Sequence, residues 1–334
     1  MDGPVKDVSA APGVRRRSLE VTGALDLVAT LRPLHRGPSD PTMRLSPGRA
    51  ARATTTPEGP AVISITHRGD TIEAEAWGPG ADWLLEGLPA LLGLDDDPTG
   101  FNPTIHPLIA DLARRRRGLR LGRTGAVFEA LLPAILEQKV TGSEAFQGYR
   151  RLIMAHGAAA PSPTGLRLPP TAATVVALPS YAFPALGIEP RRGALLRRVA
   201  SDGARLESLA AAARLPGGGG AGAAELATRL RRYAGIGPWT AAEVTLRALG
   251  DPDAVSVGDA HLSHVVGWAL AREPRATDER MLELLAPWAG HRARVISFLE
   301  SSGIEAPRFG PRMAPRDLRD LAPRDEHESR RRRP

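Results

Sequence analysis

The stretch Tyr233–Leu262, YAGIGPWTAAEVTLRALGDPDAVSVGDAHL, decides how this chain is read. It places a Gly-Ile-Gly turn between two helical patterns. Leu226, Leu230 and Tyr233 fall at i, i+4 and i+7, so the helix entering the turn has one apolar seam. Gly235 and Gly237 permit positive φ and close backbone approach. Pro238 suits the first position of the next helix. Such a turn points successive N–H groups outward at a helix N-terminus, where the dipole also favours an anion. A phosphate oxygen can be held there without a side chain, so the grip is blind to sequence. Taken alone, the turn is equally an ordinary interhelical connection.

Downstream comes one acid, Asp259, ahead of Leu262, Val265, Val266 and Ala269. Gly-Asp before a helical pattern is also the composition of an N-cap. Both roles can coexist, because a capping carboxylate is rotationally fixed and one oxygen can stay free. Asp253, in the turn GDPDAV, is a rival acid, but a turn Asp is expected for local hydrogen bonding alone. His261 and His264 could join Asp259 around a metal only in principle, and no metal is expected.

Working outward, helical periodicity begins at Thr124. Phe128, Leu131, Leu132 and Ile135 form one stripe, with Pro133 inside it to kink the helix. That helix ends near Gln138-Lys139-Val140. Thr141 and Glu144 have capping-box spacing for the next, which Gly157 ends. Residues 158–184 are Pro-rich and read as loop, 185–213 as helix, and PGGGGAGAA (216–224) as flexible loop. Residues 105–303 therefore read as all-α.

The N-terminal part differs. AVISITHRGDTIEAEAW (61–77) is two period-two runs around Gly69-Asp70, a hairpin signature. A short strand is expected around Leu19 and Val21 and a helix around Leu25, Val28 and Ala29. Asp82 is read as the N-cap of a helix carrying Leu85, Leu88 and Leu92. The fold class is thus α+β: an antiparallel α/β domain over 18–104, then an all-α domain over 105–303. A basic arm (1–17, ending in Arg15, Arg16 and Arg17) and a charged tail (304–334) are expected to be disordered. Arg114 to Arg117 read as the solvated end of a helix or as a phosphate contact.

Composition sets limits on function. The 334 residues carry a formal net charge of +7, which favours a polyanionic partner. Arg330 to Arg333 supply four of those charges, leaving +3 elsewhere, so the signal is modest. There are no cysteines. Disulfides, thiolate zinc sites, a cysteine nucleophile and cysteine-ligated iron–sulfur clusters are therefore excluded. No apolar run reaches the roughly 18–20 residues that span a bilayer, and the N-terminus has no signal-peptide pattern. The expected location is cytoplasmic.

Gly235-Ile236-Gly237-Pro238-Trp239-Thr240-Ala241 with the later Asp259 resembles the helix-hairpin-helix superfamily of DNA glycosylases. AILEQKVTG (134–142) is further similar to its alkylpurine branch, bacterial 3-methyladenine DNA glycosylase II. The resemblance covers roughly residues 18–303. It implies an N-terminal domain like one repeat of the TATA-binding protein. It also implies a nucleoid-associated monomer acting on double-stranded DNA with a damaged base, without a membrane. No cofactor is implied beyond a possible monovalent cation on the hairpin carbonyls. Asp259 would stabilise the oxocarbenium-like sugar. Trp239 would line the base pocket, with Glu243 and Phe298. Gln138, Lys139, Gly235, Ile236, Gly237 and Thr240 would contact DNA. Lyase-active relatives carry a lysine where this chain has Trp239, which implies a monofunctional enzyme. Lys139 stands where relatives have a wedge, or is simply an exposed lysine. Ala260 and Ser297 replace aromatics, and Glu243 either attracts a cationic base or faces solvent. A non-catalytic binder of damaged DNA, or a glycosylase for deaminated or oxidised bases, are the alternatives.

Overall fold

The computed structural model describes residues 13–213 and 219–307. The first twelve residues of the expected arm, the start of the glycine run and most of the charged tail lie outside them.

Five strands form one antiparallel sheet, in the order β1-β5-β4-β3-β2: β1 (Val14–Glu20), β2 (Met43–Ser46), β3 (Arg49–Thr56), β4 (Gly59–Arg68) and β5 (Thr71–Trp77). The β4–β5 hairpin turns at Gly69-Asp70 with Arg68 opposite Thr71, and Gly69 takes φ +57°, as the expected two-residue turn requires. One face of the sheet packs Ile63, Ile65, Ile72 and Ala74 against the short helices α1 (Leu27–Leu31), α2 (Ala81–Glu86) and α3 (Leu88–Leu91). The class is α+β, as expected.

Several local expectations need correction. Arg15, Arg16 and Arg17 are not in an arm but in β1, pairing with Ala76, Glu75 and Ala74. Asp82 is not the N-cap of α2. Gly80 holds that position and Asp82 lies in the first turn, because the chain enters the helix directly from the β5 turn. Gly87 divides the expected single helix into α2 and α3. The second face of the sheet is also buried: Ala53 and Val62 pack on Leu166 and Leu168. The Pro-rich segment after Gly157 is therefore a cover for the sheet, with an isolated bridge between Ala159 and Arg167, and it contains two short helices.

The remaining helices are α4 (Pro107–Arg115), α5 (Val127–Leu136), α6 (Gly142–His156), α7 (Ala172–Ala177), α8 (Ala182–Ala185), α9 (Pro190–Ser201), α10 (Gly203–Ala213), α11 (Gly219–Leu230), α12 (Pro238–Leu249), α13 (Leu262–Ala271), α14 (Asp278–Leu285) and α15 (Arg292–Ser302). Thr141 and Glu144 close both halves of the capping box on α6, and Gly157 ends it. The glycine run is not all loop. From Gly219 it is helical, because Ala223, Leu226 and Leu230 of α11 are fully buried and that burial outweighs the poor propensity of glycine. Apart from Glu129, which pairs with Arg52, α5 is apolar and buried along its length and runs through Pro133 at the centre of a core built from α5–α12. A second core joins α4, α13, α14 and α15. Among the described residues no helix is long and apolar enough to cross a membrane.

Candidate active site

The two helical cores and the sheet domain meet around one open cleft of about 1030 Å³. Its walls come from Leu25–Leu34 on the sheet side, from α12, from the α12–α13 loop and from α15. The hairpin opens beside it. Of its two glycines only Gly235 needs its freedom, at φ +102°, with Leu195 packed beneath it. Gly237 is extended (φ −93°, ψ −178°) and caps α12. A Cβ at Gly237 would meet nothing within 4 Å. Nothing inside the protein therefore calls for a glycine there, whereas an outside surface approaching closely would. Ala241 N is the first to bond back, to Gly237 O at 3.1 Å, so the N–H groups of Trp239 and Thr240 sit at the open end of α12.

Four of the expected DNA contacts are buried or partnered rather than free. The Ile236 side chain is in the α5 core. The Thr240 hydroxyl is buried and accepts from Gln138 Nε2 at 2.9 Å. The same amide donates to Gly235 O at 3.0 Å. Gln138 thus staples the end of α5 to the hairpin, and only the backbone of this turn is offered outward. Lys139, next in the chain, is exposed and left-handed at φ +53°, a conformation that a non-glycine residue adopts only under constraint. The resemblance implies a cation on the hairpin carbonyls. Tyr233 O already accepts from Ile236 N, Ala234 O from the Arg198 guanidinium and Gly235 O from Gln138. A cation there would share those oxygens with these donors, one of them charged.

Trp239 and Asp259 meet in the cleft. The indole Nε1–H donates to Asp259 Oδ2 at 2.9 Å. Asp259 Oδ1 accepts from the N–H groups of His261 and Leu262 at 2.8 and 2.9 Å. The capping role is real, although His261 is the formal N-cap of α13. Neither carboxylate oxygen is left without a partner: one is the cap, the other is aimed by the tryptophan. The result is an acid held in one orientation, without a cationic partner among the described residues, beside a hairpin and facing a cleft.

Glu243 lies one turn along α12 and lines the same cleft, but it is not free to attract a cationic base. Its Oε2 pairs with Arg247 at 2.5 Å and its Oε1 accepts from Ser256 at 2.5 Å. Burial would lower the Arg247 pKa, but Glu243 and Glu137 outweigh it and raise it, so the guanidinium stays charged. Phe298 is misplaced in the expectation. It is buried in the second core against Phe101, with ring centroids 6.0 Å apart. The cleft-facing residues of α15 are Ala293, Ile296, Ser297, Glu300 and Ser301. Glu300 is the residue that the sequence reading missed. It lies one turn beyond Ser297, so the helical period already placed it on this face. The cleft wall and the negative charges of Glu243 and Asp259 raise its carboxyl pKa against the opposing pull of Arg247, although Glu300 as a whole remains solvent-exposed, which weakens that shift.

With this geometry, the overall likeness can be read. A 3-methyladenine DNA glycosylase from Archaeoglobus fulgidus superposes with a TM-score of 0.71 at 20% identity, covering 84% of this chain and 96% of that one. An 8-oxoguanine glycosylase/lyase from Clostridium acetobutylicum, in complex with double-stranded DNA, superposes with a TM-score of 0.64 at 13% identity, covering 89% and 98%. The fold is that of the helix-hairpin-helix DNA glycosylases. No family model matches the sequence, and no curated protein does. The likeness therefore lies in the fold rather than in sequence similarity along the chain.

Proposed function

We propose that this chain is a monofunctional DNA glycosylase of base excision repair that releases alkylated purines of the 3-methyladenine type and leaves an abasic site. The observation that carries the reading is the oriented Asp259, bonded to Trp239 at the rim of a cleft large enough for a base, next to a backbone-only anion grip. The hairpin would hold the phosphate backbone. The lesion would be rotated out of the stack into the cleft, at a cost of a few kcal/mol. A 3- or 7-alkylated purine is cationic and already a good leaving group. The main demand on the protein is then a fixed anion beside the sugar as positive charge develops there.

The monofunctional part rests on amines. Lys6 and Lys139 are the only lysines in the chain, and among the described residues no lysine lines the cleft. A lyase needs an amine that attacks the sugar carbon, and Trp239 occupies the position where one would be expected. The N-terminal sheet and its helices correspond in this reading to the TATA-binding-protein-like domain, and the active form is a monomer.

The test is a panel of duplexes, each with one defined lesion, under single-turnover conditions. Release of alkylpurines, with strand breakage only after alkali, is the expected result. Breakage without alkali would overturn the monofunctional assignment. Affinity for abasic-site DNA without release of any base would favour a non-catalytic damage binder, the reading that Ala260 and Ser297 suggest.

A further inference from the structure

Three side chains of α12 line the cleft at i, i+4 and i+8: Trp239, Glu243 and Arg247. Each reaches off the helix to a different segment. Trp239 holds the Asp259 carboxylate. Glu243 accepts through Oε1 from the Ser256 hydroxyl at 2.5 Å, and Ser256 stands three residues before Asp259 in the α12–α13 loop. Arg247 donates through Nε to the carbonyl of Pro33 at 2.9 Å, in the short turn Arg32–Leu34 that follows α1 in the sheet domain. Glu243 Oε2 accepts from Arg247 Nη1 at 2.5 Å, so the second and third arms are joined.

Ser256 is bonded in two directions. Its hydroxyl donates to Glu243, and its carbonyl accepts from the N–H of Asp259 at 3.2 Å. Between them Gly258 takes φ +94°, and its N–H donates to Asp278 at 2.9 Å. A turn from Ser256 to Asp259 thus carries the acid, and Glu243 ties the start of that turn to α12. One helix therefore locates Asp259 from both ends. Trp239 fixes a carboxylate oxygen, and Glu243 fixes the backbone that bears the side chain. A glutamate–arginine pair at i, i+4 is commonly a solvated feature of a helix surface that contributes little. Here both side chains are only 13% exposed, and each makes a second bond to a segment outside α12. A solvated pair does neither.

We infer that Glu243 is a positioning residue for Asp259, acting through the Ser256 hydroxyl, with Arg247 and the Pro33 carbonyl as its anchor in the sheet domain. The effect on rate rests on the glycosylase reading above. With the bond to Ser256 gone, the turn can pivot about the Trp239 contact, and the anion is no longer fixed where positive charge develops on the sugar. A charge that must be reoriented at the moment of reaction loses the advantage of preorganisation, and a displacement of about 1 Å is enough to slow a positioned reaction. The hairpin grip on the DNA backbone is separate from this turn. The loss should therefore fall on the chemical step and not on DNA affinity.

The experiment uses the full chain. Ser256→Ala deletes the bond to Glu243 and leaves the Glu243–Arg247 pair in place. Single-turnover release of 7-methylguanine from a duplex, at saturating enzyme, should slow by roughly three- to tenfold in this variant. The dissociation constant for a duplex with an abasic-site analogue should stay within about twofold of the wild type. The indole N–H resonance of Trp239 in the isotope-labelled free protein, identified by its loss in Trp239→Phe, reports the bond to Asp259 directly. It should move upfield in Ser256→Ala. Ser256→Thr keeps a hydroxyl and should restore most of the rate and the resonance. In a double-mutant cycle, the slowing caused by Glu243→Ala should be roughly three- to tenfold smaller in the Ser256→Ala background than in the wild type, because both changes delete one and the same bond.

A wild-type rate in Ser256→Ala overturns the inference. So does slowed release with an unmoved indole resonance, which would show a role that does not run through Asp259. Additive effects of Ser256→Ala and Glu243→Ala overturn it as well, and so does a Ser256→Thr variant that restores neither rate nor resonance. A wild type that releases no base overturns the glycosylase reading, and the indole resonance then still decides whether Ser256 holds Asp259.

Discussion

Asp253 and Asp259 lie in the same α12–α13 loop, and composition gives little reason to choose between them. Asp253 is clamped by Arg292 through both oxygens, at 2.7 and 2.5 Å, and also accepts from the N–H of Gly290 at 2.8 Å. Burial would raise its pKa, but those bonds outweigh it and hold the carboxyl below the usual range. Its charge is cancelled locally, and its effect is to bolt the loop to the start of α15. Asp259 has the same bond capacity but no cation among the described residues. Its partners are two backbone N–H groups and a neutral indole. They fix its direction without neutralising it. In one loop, the structural acid is the one with an arginine and the candidate catalytic acid is the one with a tryptophan.

The strongest way to break that contrast is Asp259→Asn. The amide keeps the shape but removes the negative charge, so base release should fall by at least about 10³-fold while binding to abasic-analogue DNA persists. Measurable single-turnover excision by this variant would remove Asp259 from the chemistry. Trp239→Phe sharpens the same side. It keeps an aromatic wall and deletes only the N–H. Loss of one hydrogen bond to a charged group, about 1.5–3 kcal/mol, should lower single-turnover release by roughly tenfold to a hundredfold. An unchanged rate would mean that the indole does not aim the carboxylate.

Asp253→Ala tests the other side of the contrast. It strands a part-buried Arg292 and two N–H groups, so the expected loss is about 1–2 kcal/mol of stability. The folded fraction should keep its chemistry. The destabilisation should be greatest near neutrality and vanish as acid titrates the wild-type carboxylate, because a depressed pKa contributes stability that disappears as pH falls through it. Denaturant titration beside single-turnover kinetics separates the two effects. Full stability with lost catalysis would reverse the roles assigned to the two acids.

Local rules carried the sequence reading wherever the cause is local. The hairpin at Gly69-Asp70, the capping box at Thr141 and Glu144, the buried stripe of α5 and the Gly-Ile-Gly turn each depend on neighbours within a few residues, and each was legible. β2 and β3 were not, because Arg49–Thr56 is written in Arg, Ala and Thr and becomes a strand by pairing with β4. Gly219–Leu230 became a helix through burial that only the assembled core supplies. The site divides in the same way. Asp259 and Trp239 were named as candidates through the resemblance, since spacing alone reads Asp259 as a cap. That Gln138 turns inward to the hairpin, that Glu243 is paired with Arg247 and that Phe298 points away from the cleft depend on contacts between distant segments.

Glu300 extends the contrast to a third acid, one with neither an arginine clamp nor a fixing turn. Its folded-state pKa of about 7 lies above the ordinary carboxylate value. A group raised in this way contributes its full stability below the unfolded pKa and loses it as pH rises through the folded one. In the wild type, ionising Glu300 near Glu243 and Asp259 should therefore cost stability between about pH 4.5 and about pH 7. Glutamine cannot ionise. The melting temperature of Glu300→Gln relative to wild type should rise across that window and level off above it, by about 2 °C, a small effect because the open cleft screens the charge. Parallel melting curves for the two proteins at every pH would show that Glu300 does not sense its acidic neighbours. The contrast between Asp253 and Asp259 would stand in either case.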